Sequence, residues 1–267
     1  MINKKVDTFF VGPRKSATTW IYDFLMSRIP YKLSKSKKEI FYFDKFNQKS
    51  LLWYENHFTN KQSIDFAPGY FGNEDVIRRI HDYNPNAKII ITLREPVKRY
   101  CSDFNHHVKH GHISELSSLE NSFKTVSSLY SQSQYIKYVS CWKKTFSDNQ
   151  VKVVYFEDFV TNKMAFIDDL LCFLNLELEY DHKLLEKKPV NKASYSRFPM
   201  LSKKLNHLTL FFKRCGLDSI LNIMKRIGIK KILYSERKSP LVYEEEDLLT
   251  IKVNLNNEAN TYEKRNY

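Results

Sequence analysis

The sequence predicts an α/β fold in which a central parallel β-sheet is flanked by helices and followed by a helical, basic C-terminal part. Two observations lead there. Short β-prone runs at Val6 to Val11, Lys88 to Leu93 and Val151 to Tyr155 alternate with stretches whose apolar residues recur at helical spacing, the pattern of βαβ units. Within the second run, Ile89-Ile90-Ile91-Thr92-Leu93 is continuously apolar or β-branched, as a parallel strand buried on both faces requires.

Taken in order, Val6 to Val11 is closed by Gly12-Pro13, and Thr18 to Met26 then carries helical periodicity, giving strand, tight loop and helix. The unit recurs where Arg94-Glu95-Pro96 ends the second strand before a polar helix bearing Tyr100 and Phe104. A helix bearing Tyr135, Tyr138, Val139 and Trp142 precedes the third strand, and another covers about Asn162 to Leu174. From Lys183 the strand signal fades. Residues 201–238 hold ten Lys/Arg against Asp218 and Glu236, a net +8 in a helix-patterned window. Tyr243 to Lys264 reads as one terminal helix with the acidic first turn that the helix dipole favours, Glu244-Glu245-Glu246-Asp247. No repeat or Pro/Gly/Ser-rich linker interrupts the chain. A single domain over 1–267 is expected, with an α/β core over 1–180 and a helical extension over 181–267.

With 267 residues, 42% of them hydrophobic, and only 6 Gly and 8 Pro, the chain can bury a large core and is neither low-complexity nor fibrous. Cys101, Cys141, Cys172 and Cys215 lie far apart without CxxC spacing, which argues for free, mostly buried thiols in a reducing compartment. The N-terminal apolar run stops at Gly12, too soon for a signal peptide, and no stretch reaches 18 uncharged apolar residues; a cytoplasmic protein is expected. Forty-three Lys/Arg against 30 Asp/Glu leave +13, so the partner is anionic: a phosphorylated cofactor, an acidic polysaccharide, an anionic lipid or a nucleic acid.

The loop Gly12-Pro13-Arg14-Lys15-Ser16-Ala17-Thr18-Thr19 lies between strand and helix, where backbone N–H groups and the helix dipole cradle phosphate and Lys15 would point at it. It is not a Walker A loop, which needs a second glycine before its lysine. A basic βα turn is the plainer reading. Arg94 ends a buried strand where open α/β sheets bind ligands, and Ser102 follows in the next helix. Alone, Arg94 would serve equally as an ion-pair partner of Glu95 or Asp103. Two anion sites at the carboxyl ends of two strands suit a nucleoside phosphorylated at both ends. Trp20, Trp53, Tyr70 and Trp142 read as core aromatics, any of which could stack on adenine or a sugar. His106, His107, His110 and His112 cluster, with His106 and His110 on one helix face at a spacing seen in zinc sites, although no matching Cys or carboxylate accompanies them.

Phe9-Phe10-Val11-Gly12-Pro13-Arg14-Lys15-Ser16-Ala17-Thr18-Thr19-Trp20 resembles the 5′-phosphosulfate loop of sulfotransferases that use 3′-phosphoadenosine 5′-phosphosulfate (PAPS), especially the heparan sulfate branch. Lys88 to Ser102 is similar to that family's 3′-phosphate motif, Lys38-Glu39-Ile40-Phe41-Tyr42-Phe43-Asp44 resembles the segment bearing the branch's catalytic glutamate, and Ala67-Pro68-Gly69-Tyr70-Phe71 the segment after it. The resemblance runs from about Val6 to Phe173, with a weaker echo at Pro240-Leu241 and the closing helix. It implies a P-loop-like, nucleotide-kinase-like sulfotransferase fold. It also implies that Arg14, Lys15, Ser16, Ala17, Thr18, Thr19, Trp20, Arg94 and Ser102 bind PAPS, whose product is PAP, and that no metal is required. Glu39 would be the general base and Lys15 the group that neutralises the leaving phosphate, while Lys38, Tyr70 and His106 would meet the acceptor, a saccharide or glycan. One of the histidines is the reserve base.

Two positions depart from the family pattern. Ala17 stands where a glycine is usual, and would be strained if that position needs a positive φ. Phe66 stands where the heparan enzymes have a lysine. The disulfide-closed acceptor loop of animal enzymes has no counterpart, which suits a microbial, cytosolic version. Residues 201–238 could meet a glycan, a membrane surface or only solvent. Two competing classes are a P-loop kinase or NTPase, which would need a Walker A lysine and a magnesium-holding set, and a non-catalytic polyanion or nucleic-acid binder, which leaves Lys15, Glu39 and Arg94 without purpose.

Overall fold

The computed structural model describes residues 5–26, 38–58, 63–110, 112–114, 117–177, 180, 185, 243–265 and 267, with short pieces between 194 and 236. Lys35, Lys37, Cys215 and most of the basic 201–238 window lie outside the described residues.

Four parallel strands, β1 (Thr8–Gly12), β2 (Ile64–Phe66), β3 (Lys88–Leu93) and β4 (Val151–Tyr155), form a sheet in the order β2-β1-β3-β4. Strand alternation divides their side chains between two apolar layers. Phe9, Val11, Ile89, Ile91 and Leu93 point to one face, where they meet Phe43, Tyr54, Tyr70, Tyr83, Tyr138 and Trp142. Phe10, Phe66, Ile90 and Val154 point to the other, against Trp20, Phe24, Phe159, Ile167 and Leu170. The first layer is carried by helices α2 (Tyr42–Lys45), α3 (Leu51–Glu55), α4 (Glu74–Tyr83) and α8 (Tyr135–Thr145), the second by α1 (Thr18–Met26), α9 (Phe156–Thr161) and α10 (Lys163–Leu174). Each fully buried Phe or Ile of the sheet contributes about 1.5–3 kcal/mol by leaving water. This is the expected α/β core, a parallel sheet covered on both sides.

The chain folds into two compact units. The first comprises 1–99, 130–190 and 255–267 and holds the sheet. Its last helix, α12 (Asn256–Lys264), is tied in by the amide N–H of Ile136, which donates to Glu258 Oε2 at 2.8 Å, and by Arg265, whose guanidinium bonds both oxygens of Asp158 at 2.8 and 2.6 Å. The second unit comprises 100–129 and 191–254. It contains most of α5 (Pro96–Lys109), α6 (Leu119–Thr125), an antiparallel pair β5 (Ser194–Ser196) and β6 (Tyr234–Glu236), and α11 (Glu245–Asn254). Tyr100 stacks on Phe123 at 4.6 Å, and Asp247 of α11 accepts from the amide of Leu119 at 3.2 Å. The short α7 (Ser127–Ser131) lies where the chain returns to the first unit.

Three details differ from the sequence reading. The C-terminal part is not purely helical, since β5 and β6 pair there; three-residue strands leave no periodicity to detect. The terminal helix is broken at Leu255 (φ −107°, ψ 12°), a residue buried at 1% exposure, so the acidic start and the closing turn belong to two helices. The described cysteines are free but not mostly buried, with Cys101 and Cys141 half-buried and Cys172 exposed on the outer side of α10.

Candidate active site

Strand order places a topological switch beside β1: the chain leaves β1 to form β2 on one side, then crosses to form β3 on the other. Loops leaving the carboxyl ends of β1 and β3 diverge at such a point and open a crevice. Both loops carry the expected anion-binding residues, and they touch. Arg94, one residue past β3, donates from Nη1 to the carbonyl of Lys15 at 3.2 Å, and its guanidinium lies 4.6 Å from the Phe156 ring centroid. Its Nε is buried without a partner in the structure. Glu95 is not its ion-pair partner but the cap of α5, accepting the amides of Val97 and Lys98 at 2.9 and 2.8 Å.

The β1 loop is shaped by backbone. Register slips between Phe10 and Gly12, and Gly12 takes φ +101°. A Cβ there would lie 2.1 Å from the carbonyl oxygen of Pro68, so only glycine fits. Lys15 (φ 73°) and Ala17 (φ 61°) are both left-handed, with Ser16 between them. Alternation of this kind turns successive N–H groups toward one point, the anion-binding nest, at the N-terminus of α1. Ala17 therefore does occupy a positive φ, and the strain anticipated for it is present. Ser16 Oγ is buried with no partner in the structure. These features fit a bound phosphate: the loop has two left-handed residues before a helix, and polar atoms on Ser16 and Arg94 stand buried and unpaired. Gln132 braces the crevice wall, accepting from the amide of Arg14 and donating to the carbonyl of Gly69, both at 3.2 Å.

Lys38 and Glu39 reach the same loop. Lys38 Nζ donates to Thr19 Oγ1 at 2.7 Å and stands 3.8 Å from Glu39 Oε1, the two side chains being 16% and 36% exposed. Burial lowers the Lys38 pKa, while the charges of Glu39 and Asp23 oppose that shift. Glu39 (φ 67°) is anchored by its amide to the carbonyl of Phe66 at 3.0 Å. Lys15, Lys38, Glu39 and Arg94 thus border one crevice, although they are up to 79 positions apart in sequence.

The remaining expected site residues are placed as follows. Trp20 is in the second apolar layer, stacked on Phe24 at 5.3 Å and against Phe159 at 4.8 Å. Tyr70, expected at the acceptor, is fully buried; its hydroxyl accepts from the amide of Phe43 at 3.2 Å and bonds Asp65, so it supports the site from behind. Phe66 stacks on Phe10 at 4.2 Å, buried in the second apolar layer. Ser102 is half-buried on α5 and belongs to the second unit, as does His106, whose ring meets that of His110 at 4.4 Å. Among the described residues no group of three His, Cys, Asp or Glu is arranged to hold a metal ion, and no helix is long and apolar enough to cross a membrane.

A parallel α/β sheet with a left-handed loop at its switch point, an arginine on that loop and a Lys-Glu pair beside it defines a nucleotide-binding type of α/β fold. Residues 5–226 match the sulfotransferase domain, and the chain belongs to that family, whose enzymes draw on PAPS. It is 32% identical over 102 residues to the membrane-associated sulfotransferase kil1 of Dictyostelium discoideum, covering 36% of this chain and 21% of that protein. To human heparan sulfate glucosamine 3-O-sulfotransferase 5 it is 25% identical over 192 residues, covering 66% and 55%. Among solved structures, a sulfotransferase from Alicyclobacillus acidocaldarius superposes with a TM-score of 0.58 at 22% identity, over 68% of this chain and 88% of that one. The chain spans only about a fifth to a half of the length of these two curated relatives.

Proposed function

We propose that the protein transfers the sulfuryl group of PAPS to a hydroxyl of a saccharide, with Glu39 as general base. The observation that carries this reading is the meeting of three groups at one crevice: the left-handed nest at Lys15 to Ala17, Arg94 on the Lys15 carbonyl, and Lys38 bridging Thr19 to Glu39.

When bound, PAPS supplies the sulfuryl group and, as PAP, its leaving group. Lys15 and the amides of residues 16–19 hold the 5′-phosphate end, a fixed electrostatic arrangement that needs no reorganisation as charge develops. Arg94 offers its guanidinium to the 3′-phosphate, the group that distinguishes PAPS from ATP. Glu39, partly exposed at the rim, accepts the acceptor's hydroxyl proton on its carboxylate. Lys38, 3.8 Å from it, orients that carboxylate. A saccharide acceptor is supported by the names of the heparan sulfate relatives. The acceptor contact differs from theirs, because Phe66 occupies the lysine's position and is turned into the core.

The test is transfer of radiolabelled sulfate from PAPS to a panel of heparosan, chondroitin and neutral oligosaccharides. Wild type is expected to label at least one. Glu39→Gln and Lys15→Ala are each expected to lose about 10²–10⁴-fold in rate while staying folded. Full activity in Glu39→Gln would overturn the base assignment, and no labelling of any hydroxylated acceptor would overturn the saccharide reading.

A further inference from the structure

β2 carries a carboxyl group where a strand core should be apolar. Asp65 is 1% exposed, on the face of β2 opposite Ile64 and Phe66, inside the aromatic layer formed by Phe9, Phe43, Tyr54 and Tyr70. Tyr54 donates to Asp65 Oδ2 at 2.9 Å, Tyr70 also bonds the carboxyl, and Oδ1 is buried with no partner in the structure. A carboxyl so placed costs several kcal/mol to ionise without a counter-ion. Sheet stability does not require it, since a Leu or Val would satisfy the strand.

What Asp65 touches is the platform under Glu39. The amide of Glu39 is bonded to the carbonyl of Phe66, the residue next to Asp65, and the amide of Phe43 is bonded to the Tyr70 hydroxyl, which Asp65 holds. The segment from Glu39 to Phe43 is thus docked at both ends on groups that Asp65 organises. Two residues of that segment, Glu39 and Phe41, have positive φ (67° and 59°), a conformation that persists only when its surroundings enforce it.

We propose that Asp65 is a positioning residue for Glu39, and that its proton acts as a pH-sensitive latch: protonated, it leaves no charge beneath Glu39 and that end of the segment docked; ionised, its charge repels Glu39 and loosens the Glu39 end. The inference rests on the reading of Glu39 as the base. The groups facing Asp65 are Tyr54 from α3, Tyr70 from the loop after β2, and Glu39 from the segment above; Glu55 and Tyr83 lie behind Tyr54, and Asp44 beside Tyr70. Lys38, the nearest cation named at the site, is engaged by Thr19 and Glu39. Burial, opposed by the two tyrosine hydroxyls and helped by the charge of Glu39, raises the Asp65 pKa to about 7, which puts the latch in the physiological range.

The test reads the dock directly and needs no acceptor. Amide hydrogen exchange at Glu39, expressed as protection relative to an unstructured amide at the same pH, is followed by NMR from pH 5.5 to 8.5. In wild type, protection is expected to fall on the order of tenfold as pH passes about 7. Asp65→Asn keeps an acceptor for Tyr54 but no titratable proton, and its protection is expected to stay level. Tyr54→Phe removes a donor that favours the ionised form, and is expected to move the fall to higher pH. Level protection in wild type, or an unchanged fall in Tyr54→Phe, would overturn the latch; the second variant keeps the test decisive if Asp65→Asn does not fold. Failure of the base reading is separate, because it would appear as full transfer activity in Glu39→Gln whatever the exchange profile.

Discussion

Positive φ has opposite consequences at the two ends of the phosphate loop. Gly12 must be glycine, since its φ of +101° and the Pro68 carbonyl 2.1 Å from a would-be Cβ leave no room for a side chain. Gly12→Ala is expected to cost at least about 2–3 kcal/mol, read as a lower urea midpoint at unchanged slope. Ala17, by contrast, sits at φ 61°, half-buried against the second apolar layer, and a left-handed alanine costs about 1–2 kcal/mol. Glycine would lose part of that gain, about 0.5–1 kcal/mol, to chain entropy. Ala17→Gly is therefore expected to stabilise by about 0.5–1 kcal/mol in the same assay. The sequence exposed this position through the glycine usual there, and Lys15, Glu39 and Arg94 through their motifs. It did not reveal Asp65, Gln132 or the inward turn of Tyr70, because each acts through partners distant in the chain: Gln132 bonds residues 118 and 63 positions away.

At the scale of elements, long strands and helices were legible because periodicity needs length. β1, β3, β4, α1 and α10 begin and end within about two residues of their sequence signals, and α8 holds the aromatic helix expected there. β2 was not legible. It has three residues, follows a polar Lys61-Gln62-Ser63, and has Asp65 at its centre, so neither alternation nor an apolar run announces it. The same residue makes β2 pH-sensitive. The Asp65 carboxyl titrates at about 7 when folded against about 3.9 in an unfolded chain, so between those values the folded state holds a proton the unfolded state has lost. Stability then declines as pH rises from about 4 to 7 and levels above, by at most about 4 kcal/mol. Urea unfolding of Asp65→Asn against wild type is expected to show little difference at pH 4 and a relative gain for the variant at pH 8. A second element-scale contrast lies in α12. Tyr262 is 8% exposed against Tyr135 and Tyr155, with its hydroxyl on Glu157, whereas Arg265 and Asp158 are 54% and 43% exposed. Tyr262→Ala is expected to cost about 3 kcal/mol, and Arg265→Ala under about 1 kcal/mol despite its bidentate geometry.

Over the whole molecule, a surplus of +13 attracts any polyanion, so binding of a nucleotide alone says little about the crevice. What separates a built site from general attraction is discrimination between ligands of similar charge. On the proposed reading, the loop at Lys15 to Ala17 would serve a 5′-phosphate in any nucleotide, while Arg94 stands across the loop, with its Nε unpaired and its position fixed by Phe156 and the Lys15 carbonyl. A nucleotide phosphorylated at both 5′ and 3′ positions would then use both, AMP only one, and ATP with magnesium would carry its extra charge at the 5′ end. At about 100 times its Kd, a ligand specific for the folded state adds about 2.7 kcal/mol, which raises the unfolding midpoint by several degrees in a chain of this size. PAP is therefore expected to raise the midpoint well above AMP or ATP-magnesium at matched ionic strength, and Arg94→Ala to remove most of that preference while leaving the AMP response. An equal loss for PAP and AMP would mean Arg94 shapes the loop without reading the 3′-phosphate. Equal shifts for all three ligands in wild type, falling together with added salt, would mean that net charge alone holds them.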